Sequence, residues 1–191
     1  MHTILETDCF VLKSAPSGEA NKQLELFTRD FGMIRATAQG LRYLKSKLRY
    51  SLGDFSKAHV SLVRGKEMWR VTTAFKRADT MTDIPSREGR EALFHIFALL
   101  RRLLQGEEPH AELFEIVETA FSVLAKGAHA TAVEELAVLR ILFLLGYVKD
   151  DESLRVFAEG NGFDEEMLGR ATAARKTIVI EINRALAASH L

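Results

Sequence analysis

The spacing of apolar residues changes once along this chain of 191 residues, and that change limits the architectures that it can adopt. Up to about residue 78, apolar side chains recur at every second position in short runs such as 33–38, 58–63 and 68–75, and glycine-containing turns separate these runs. Alternation of this kind is typical of half-buried β-strands. Five short strands at this spacing predict a small closed or half-closed antiparallel barrel.

Beyond residue 84 the apolar residues recur at the three- and four-residue spacing of helices. Ser86 is a suitable N-cap for a first helix, and Pro109 can occupy the first turn of a second. Thr131 and Glu134 have capping-box spacing ahead of a third helix at 135–145, which is apolar nearly all round. A helix without a polar face belongs at the centre of a bundle.

The predicted fold class is therefore α+β, with a barrel domain at 1–78 and an all-helical domain at 79–191. The formal net charge of the chain is zero, but this balance conceals a division between the domains. Residues 1–78 carry 14 Lys and Arg against 7 Asp and Glu, whereas residues 79–191 carry 12 against 19. Such asymmetry indicates a polyanionic partner for the basic half.

The most informative segment lies at 40–50, within the basic half. Four bases occur within eight residues, and no acidic residue occurs between Asp30 and Asp54; the bases are Arg42, Lys45, Lys47 and Arg49. A phosphate backbone would relieve their mutual repulsion and release counterions. Tyr43 and Tyr50 lie among these bases, and aromatic faces can stack unpaired bases of a single strand. We therefore predict a nucleic-acid contact here, extended by Arg35.

Two alternatives bear on this interpretation. A basic segment between two strands can simply be solvated and protect a barrel edge from aggregation. The neighbouring bases Lys13, Lys22, Arg64 and Lys66 can extend the contact, although each alone is more typical of a surface charge. We expect Trp69 to fill the barrel core rather than to stack a base.

No catalytic residue, metal site or cofactor is predicted, and we expect a chain that is not an enzyme. Cys9 is the only cysteine, the six histidines are scattered without ligand spacing, and the chain has neither a phosphate-binding loop nor a dinucleotide fingerprint. The acidic residues 150–152 are better explained as a solvated turn than as a cation site. No segment has the pattern of a signal peptide or a membrane span, so a cytoplasmic location is expected.

Several segments, in order, resemble the RecO family of DNA repair proteins. They are 10–13 (FVLK), 18–22 (GEANK), 26–32 (LFTRDFG), 38–42 (AQGLR), 45–47 (KSK), 52–55 (LGDF) and 63–65 (VRG). In the second half, 135–140 (ELAVLR) and 145–147 (LGY) are similar to the central helix of the family and its exit.

The resemblance implies an N-terminal OB-fold and a helical domain that together act as a recombination mediator. Members of the family bind single- and double-stranded DNA, anneal complementary strands, and work with RecR to load RecA onto DNA coated by the single-stranded DNA-binding protein SSB. The helical domain binds the acidic, apolar C-terminal tail of SSB. On this sequence the resemblance places the DNA contact at Arg42, Lys45 and Lys47, whereas Arg49, Arg35 and the tyrosines rest on the chemistry of the segment.

Arg140 is a candidate partner for the carboxylate of the SSB tail, because it is a cation within an otherwise apolar helix. Its alternative is an arginine that reaches outward to solvent. Some family members carry a four-cysteine zinc module after the central helix, and a chain with Cys9 alone cannot form one. A protein-interaction adaptor that does not bind DNA, built on the same barrel and bundle, is the alternative function.

Overall fold

A computed structural model describes residues 3–66, 68–127, 129–149 and 151–188. The chain forms two compact units. The barrel unit comprises the chain up to Asp83 together with Leu104–Ala111, and the helical unit comprises Ile84–Leu103 and the chain from Glu112 onward. The boundary predicted after residue 78 therefore falls inside the last strand, and a later segment belongs to the first unit.

Five strands form a closed barrel in the order β1-β2-β3-β5-β4, with β4 paired back to β1. They are β1 (Ile4–Ser17), β2 (Asn21–Thr28), β3 (Gly32–Ala38), β4 (Ser56–Arg64) and β5 (Trp69–Asp79). The predicted barrel is confirmed, with one departure from antiparallel pairing. β3 and β5 are parallel, with Thr37 opposite Arg70. Strands that alternate in direction can close into a ring only if their number is even, so a five-stranded barrel needs one parallel pair.

The barrel core follows the alternation seen in the sequence. Inward side chains include Val11, Leu26 and Val60, all fully buried. Trp69 lies in the core at 2% exposure, as expected. Cys9 is also in the core, where burial raises the pKa of its thiol to about 12, so the thiol stays protonated at neutral pH.

Two short helices complete the barrel unit: α1 (Lys47–Ser51) between β3 and β4, and α2 (Thr80–Asp83) after β5. Asp79 ends β5 and accepts hydrogen bonds from the backbone N–H groups of Met81 and Thr82. Its carboxylate also pairs with Lys76 at 2.7 Å. This ion pair is the main reason why the pKa of Asp79 is lowered.

The helical unit contains α3 (Arg87–Leu103), α4 (Ala111–Leu124), α5 (Ala130–Leu144), α6 (Glu152–Ala158), α7 (Glu165–Ala173) and α8 (Arg175–Ala188). α5 packs against α3, α6, α7 and α8, which is the central position predicted from its apolar composition. Ser86 accepts a hydrogen bond from the N–H of Gly89 at the start of α3, as expected of an N-cap. No helix among the described residues is long and apolar enough to cross a membrane.

Two predicted helix starts are wrong. α5 begins at Ala130, one residue before Thr131, and its N-cap position is held by His129 in the left-handed conformation without a side-chain cap. Thr131 therefore lies inside the helix and cannot form the capping box. α4 begins at Ala111 rather than at Pro109.

The acidic residues 150–152 are partly described. Asp150 lies outside the described residues. Asp151 caps α6 by accepting from the N–H of Ser153, and the hydrogen bonds from the hydroxyl and the N–H of Ser153 lower the pKa of Asp151. Glu152 is the first residue of α6.

Candidate nucleic-acid interface

The basic segment, defined here as residues 40–50, is fixed to the barrel at its start. Gly40 adopts a left-handed conformation (φ 65°) directly after β3, and its N–H donates to Oδ1 of Asn21. The N–H of Arg42 donates to the carbonyl of Ala20 at 2.9 Å. Leu41 is buried in the barrel core. The segment therefore leaves the barrel beside the turn between β1 and β2.

The end of the basic segment is fixed by α1. Leu48 packs against the barrel core, and Leu52, just after the helix, is fully buried. The N–H of Leu52 donates to the carbonyl of Leu48 and closes the single helical turn. Apolar anchors at both ends thus hold an exposed, charged stretch against the barrel.

All four predicted bases of the segment, Arg42, Lys45, Lys47 and Arg49, are exposed. Nη1 of Arg42 donates to the carbonyl of Gly18 at 2.9 Å, which orients the guanidinium beside the β1–β2 turn. Among the described residues none of the four forms an ion pair with a carboxylate. The segment therefore carries four charges that no neighbouring acid neutralises, and a polyanion would stabilise them.

The two tyrosines of the segment are also exposed, Tyr43 at 65% and Tyr50 at 77%. Nζ of Lys76 lies 4.9 Å from the centre of the Tyr50 ring, a cation–π contact that occupies one face of that ring. A Cβ on Gly40 would lie 3.3 Å from the Tyr43 ring, so the ring rests against the glycine. Each tyrosine thus has a neighbour that orients it within the basic segment.

Arg35 is exposed on β3, but it lies directly across from Glu25 in the β2–β3 register. Lys13 lies across from the same glutamate in the β1–β2 register. Opposite charges on adjacent strands offset each other, so these bases present less net charge than the basic segment. Nζ of Lys22 donates to the hydroxyl of Ser14.

The structure gives Arg140 contacts that the sequence did not suggest. The side chain is 1% exposed, so the alternative of an outward-reaching arginine is wrong. Nε donates to the carbonyl of Phe157 at 2.9 Å and Nη1 to that of Gly162 at 2.8 Å, and the guanidinium lies 4.6 Å from the centre of the Phe163 ring. Binding of a partner carboxylate stays a prediction, and it would require Arg140 to exchange these carbonyls for the carboxylate.

Burial lowers the pKa of Arg140 to about 10, while the carboxylate of Asp164 opposes the shift. Arg140 is therefore charged at neutral pH.

A second group of bases gathers around the turn between β4 and β5. Arg64, Lys66 and Arg70 line one cavity there, together with Gln39. The sequence indicated Arg64 and Lys66 as extensions of the contact but missed Arg70. The parallel β3–β5 pair places Arg70 next to the end of β3, and strand alternation alone gave no signal of that pairing.

Three of the described histidines, His59, His95 and His129, each pair with a carboxylate in a different part of the chain. His59 contacts Asp8 at 2.9 Å, and His95 contacts Glu134 at 2.8 Å. His2 and His190 lie outside the described residues. Within the part of the chain that the structure describes, no group of three or more His, Cys, Asp or Glu side chains could hold a metal ion.

A closed five-stranded barrel with this strand order, an exposed basic segment and a helical unit define an OB-fold protein of α+β class. The family model described as Recombination protein O N terminal matches residues 1–75. The DNA repair protein RecO of Desulfitobacterium hafniense (strain DSM 10664 / DCB-2) is 29% identical over 147 residues, which cover 75% of this chain and 52% of that protein.

Two further relatives agree. The DNA repair protein RecO of Bifidobacterium adolescentis is 31% identical over 140 residues, covering 72% of this chain and 57% of the relative. That of Delftia acidovorans is 28% identical over 179 residues, covering 84% and 66%. Residues 1–75 of this chain thus match the N-terminal domain of the RecO family, and most of the chain is similar to DNA repair proteins RecO, in agreement with the sequence motifs. The chain spans between about half and two thirds of the length of these relatives.

Proposed function

We propose that this chain acts in recombinational DNA repair by binding DNA through the basic segment of its barrel unit. The observation that carries the proposal is the set of four exposed bases at 42–49, held at both ends on an OB-fold barrel and not neutralised by any described acid. Contacts from such bases go to phosphates, so they give affinity without reading sequence. Tyr43 and Tyr50 add faces on which unpaired bases can stack.

The proposed mechanism involves no bond chemistry and no cofactor. Two phosphate backbones repel each other, and a basic surface between them supplies the cations that allow complementary strands to approach and anneal. With its helical unit bound to the tail of SSB, the protein would also bring SSB-coated DNA together with RecR and RecA, as the family resemblance implies. A cytoplasmic location, where these partners act, is part of the proposal.

The helical unit offers a groove for the SSB tail between α3, α5 and α8. The groove has a volume of about 350 Å³ and a lining that includes the apolar Leu99, Val138 and Ile182 together with Arg102. Glu134 and Glu135 also line it, and they pair with His95 and Arg175. Because both acids are paired, the apolar surface and Arg102 suit an acidic tail with apolar residues. Arg102 is exposed, so within this proposal it is a more accessible carboxylate partner than Arg140.

The test is binding of a labelled single-stranded oligonucleotide, followed by fluorescence anisotropy at several salt concentrations. The triple variant Arg42→Ala/Lys45→Ala/Lys47→Ala should bind all sequences more weakly. The slope of the logarithm of its binding constant against the logarithm of the salt concentration should be less steep by about 2. Each phosphate contact that is lost on a single strand removes about 0.7 from this slope. A variant with the same charge change at exposed sites elsewhere, Arg77→Ala/Lys126→Ala/Lys176→Ala, should bind like the unmodified chain. Unmodified protein that shows no saturable binding would instead favour the adaptor.

A further inference from the structure

A cavity of about 430 Å³ lies in the barrel unit beside the turn between β4 and β5. Its lining includes Thr37 and Gln39 at the end of β3, and Arg64, Lys66, Met68 and Arg70 from the turn and its flanking strands. The nine residues that line it include three bases and no acid. The charge of this lining therefore suits an anionic ligand.

The turn is held against the end of β3 by short contacts. The hydroxyl of Thr37 donates to Sδ of Met68 at 2.7 Å, and the N–H of Gly65 donates to the carbonyl of Met68. A Cβ at Gly65 would lie 2.5 Å from that carbonyl oxygen, so only glycine allows the turn to close this tightly. From the end of β3 the chain runs through Gln39 directly into the basic segment, which makes the two groups of bases neighbours.

The three bases of the cavity differ in how far they are neutralised. Arg64 pairs with Glu107 at 2.9 Å, and its guanidinium lies 5.3 Å from the centre of the Trp69 ring. Glu107 also accepts a hydrogen bond from Nε1 of Trp69 at 2.9 Å, which fixes the carboxylate in place. Lys66 and Arg70 are exposed, and neither has a hydrogen-bond or ion-pair partner among the described residues.

The neighbouring sequence lowers the net charge of the turn without cancelling it. Glu67 lies outside the described residues, and with it residues 64–70 carry three bases against one acid. Glu107 supplies a second carboxylate from the segment Leu104–Ala111 of the same unit. Two carboxylates against three bases leave a surplus of positive charge, which Lys66 and Arg70 expose at the cavity.

We propose that this cavity is a second nucleic-acid contact, in which Lys66 and Arg70 hold backbone phosphates of a single strand that continues from the basic segment. Glu107 limits the affinity of this contact, because its carboxylate takes the place on Arg64 that a phosphate would otherwise occupy. The inference rests on the proposed DNA binding by the basic segment. It adds a second set of residues and an internal carboxylate that competes with the ligand.

The first test is the variant Lys66→Ala/Arg70→Ala in the full chain, with a labelled oligonucleotide of about 20 nucleotides, longer than the site of a single OB-fold. The slope of the logarithm of the binding constant against the logarithm of the salt concentration should be less steep by about 1.4, since two phosphate contacts are lost on a single strand. The control variant Arg77→Ala/Lys176→Ala changes the charge equally and should keep the original slope. An unchanged slope and affinity in Lys66→Ala/Arg70→Ala would overturn the inference, whereas failure of the unmodified chain to bind would overturn the proposed function.

The second test is Glu107→Gln, whose amide oxygen can still accept from the indole of Trp69. Removal of the negative charge should tighten binding at low salt and make the salt slope steeper, because Arg64 becomes available to phosphate. The variant Glu166→Gln removes an exposed carboxylate from α7 of the helical unit and separates a local effect from a change in net charge. Equal effects of the two variants, or no effect of Glu107→Gln, would refute the role of Glu107.

Discussion

A single buried arginine organises part of the helical unit. Arg140 on α5 donates to the carbonyls of Phe157 and Gly162, which lie 17 and 22 residues further along the chain. Phe157 lies in the last turn of α6 and Gly162 in the segment before α7, where their carbonyls have no helical hydrogen bonds. Arg140 therefore satisfies the carbonyl of the buried Phe157, which would otherwise lack a donor, and it also contacts that of the exposed Gly162.

Loss of this side chain should destabilise the helical unit strongly. Arg140→Ala leaves the carbonyls of Phe157 and Gly162 without donors and opens a cavity, for an expected loss of about 3–5 kcal/mol in the free energy of unfolding. The measurement is urea denaturation followed by far-UV circular dichroism. Arg184→Ala removes an exposed arginine from the same unit and should change stability by less than about 1 kcal/mol. Equal stability of the two variants would show that the contacts of Arg140 contribute little.

Arg140 also shows where sequence reasoning stops. The sequence identified a cation in an apolar helix, and it correctly made that helix the centre of the bundle. The acceptors for the guanidinium are backbone carbonyls, which carry no sequence signal and are brought near α5 only by tertiary packing. The four bases at 42–49 could be found because charge density is a local property, whereas Arg70 joins a site only through the parallel pairing of β3 and β5.

At the scale of elements, the turn between β2 and β3 is packed so closely that it has no space for a side chain at Gly32. Gly32 adopts a left-handed conformation (φ 65°), and a Cβ there would lie 2.0 Å from the carbonyl oxygen of Glu108. The next residue, Met33, donates its N–H to the carbonyl of Gly106. The segment Leu104–Ala111 thus packs directly on this turn within the barrel unit.

A comparison of Gly18 with Gly32 separates the cost of this close packing from the cost of the left-handed backbone conformation. Gly18 has nearly the same φ of 64°, but a Cβ there would meet nothing within 4 Å. Gly18→Ala should therefore cost only the conformational strain, about 1–2 kcal/mol. Gly32→Ala should cost clearly more, because a backbone carbonyl must move to admit the methyl group. Urea midpoints of the two variants give the comparison, and a smaller loss for Gly32→Ala would contradict the close contact with Glu108.

At the scale of the whole molecule, the two units are not consecutive in the sequence. Strand and helix periodicity predicted both units and their order, and it placed their boundary near residue 78. Periodicity could not show that Leu104–Ala111 returns to the barrel unit, since residues 104–110 have no regular structure and contact the barrel through the carbonyl of Gly106 and the carboxylate of Glu107. The chain therefore cannot be cut after β5 without removing part of the barrel unit.

A chain that ends at residue 83 should accordingly form a weaker barrel than the full chain. It lacks the carbonyl of Gly106 for the N–H of Met33 and the carboxylate of Glu107 for Nε1 of Trp69. Each lost hydrogen bond costs about 0.5–1.5 kcal/mol, because water replaces the missing acceptor. Trp69 is the only tryptophan, so its fluorescence during urea denaturation reports on the barrel unit. Rejoining residues 104–111 through a flexible linker should recover most of the loss, because it restores both acceptors. Equal midpoints for the short and rejoined chains would show instead that the barrel is complete at residue 83.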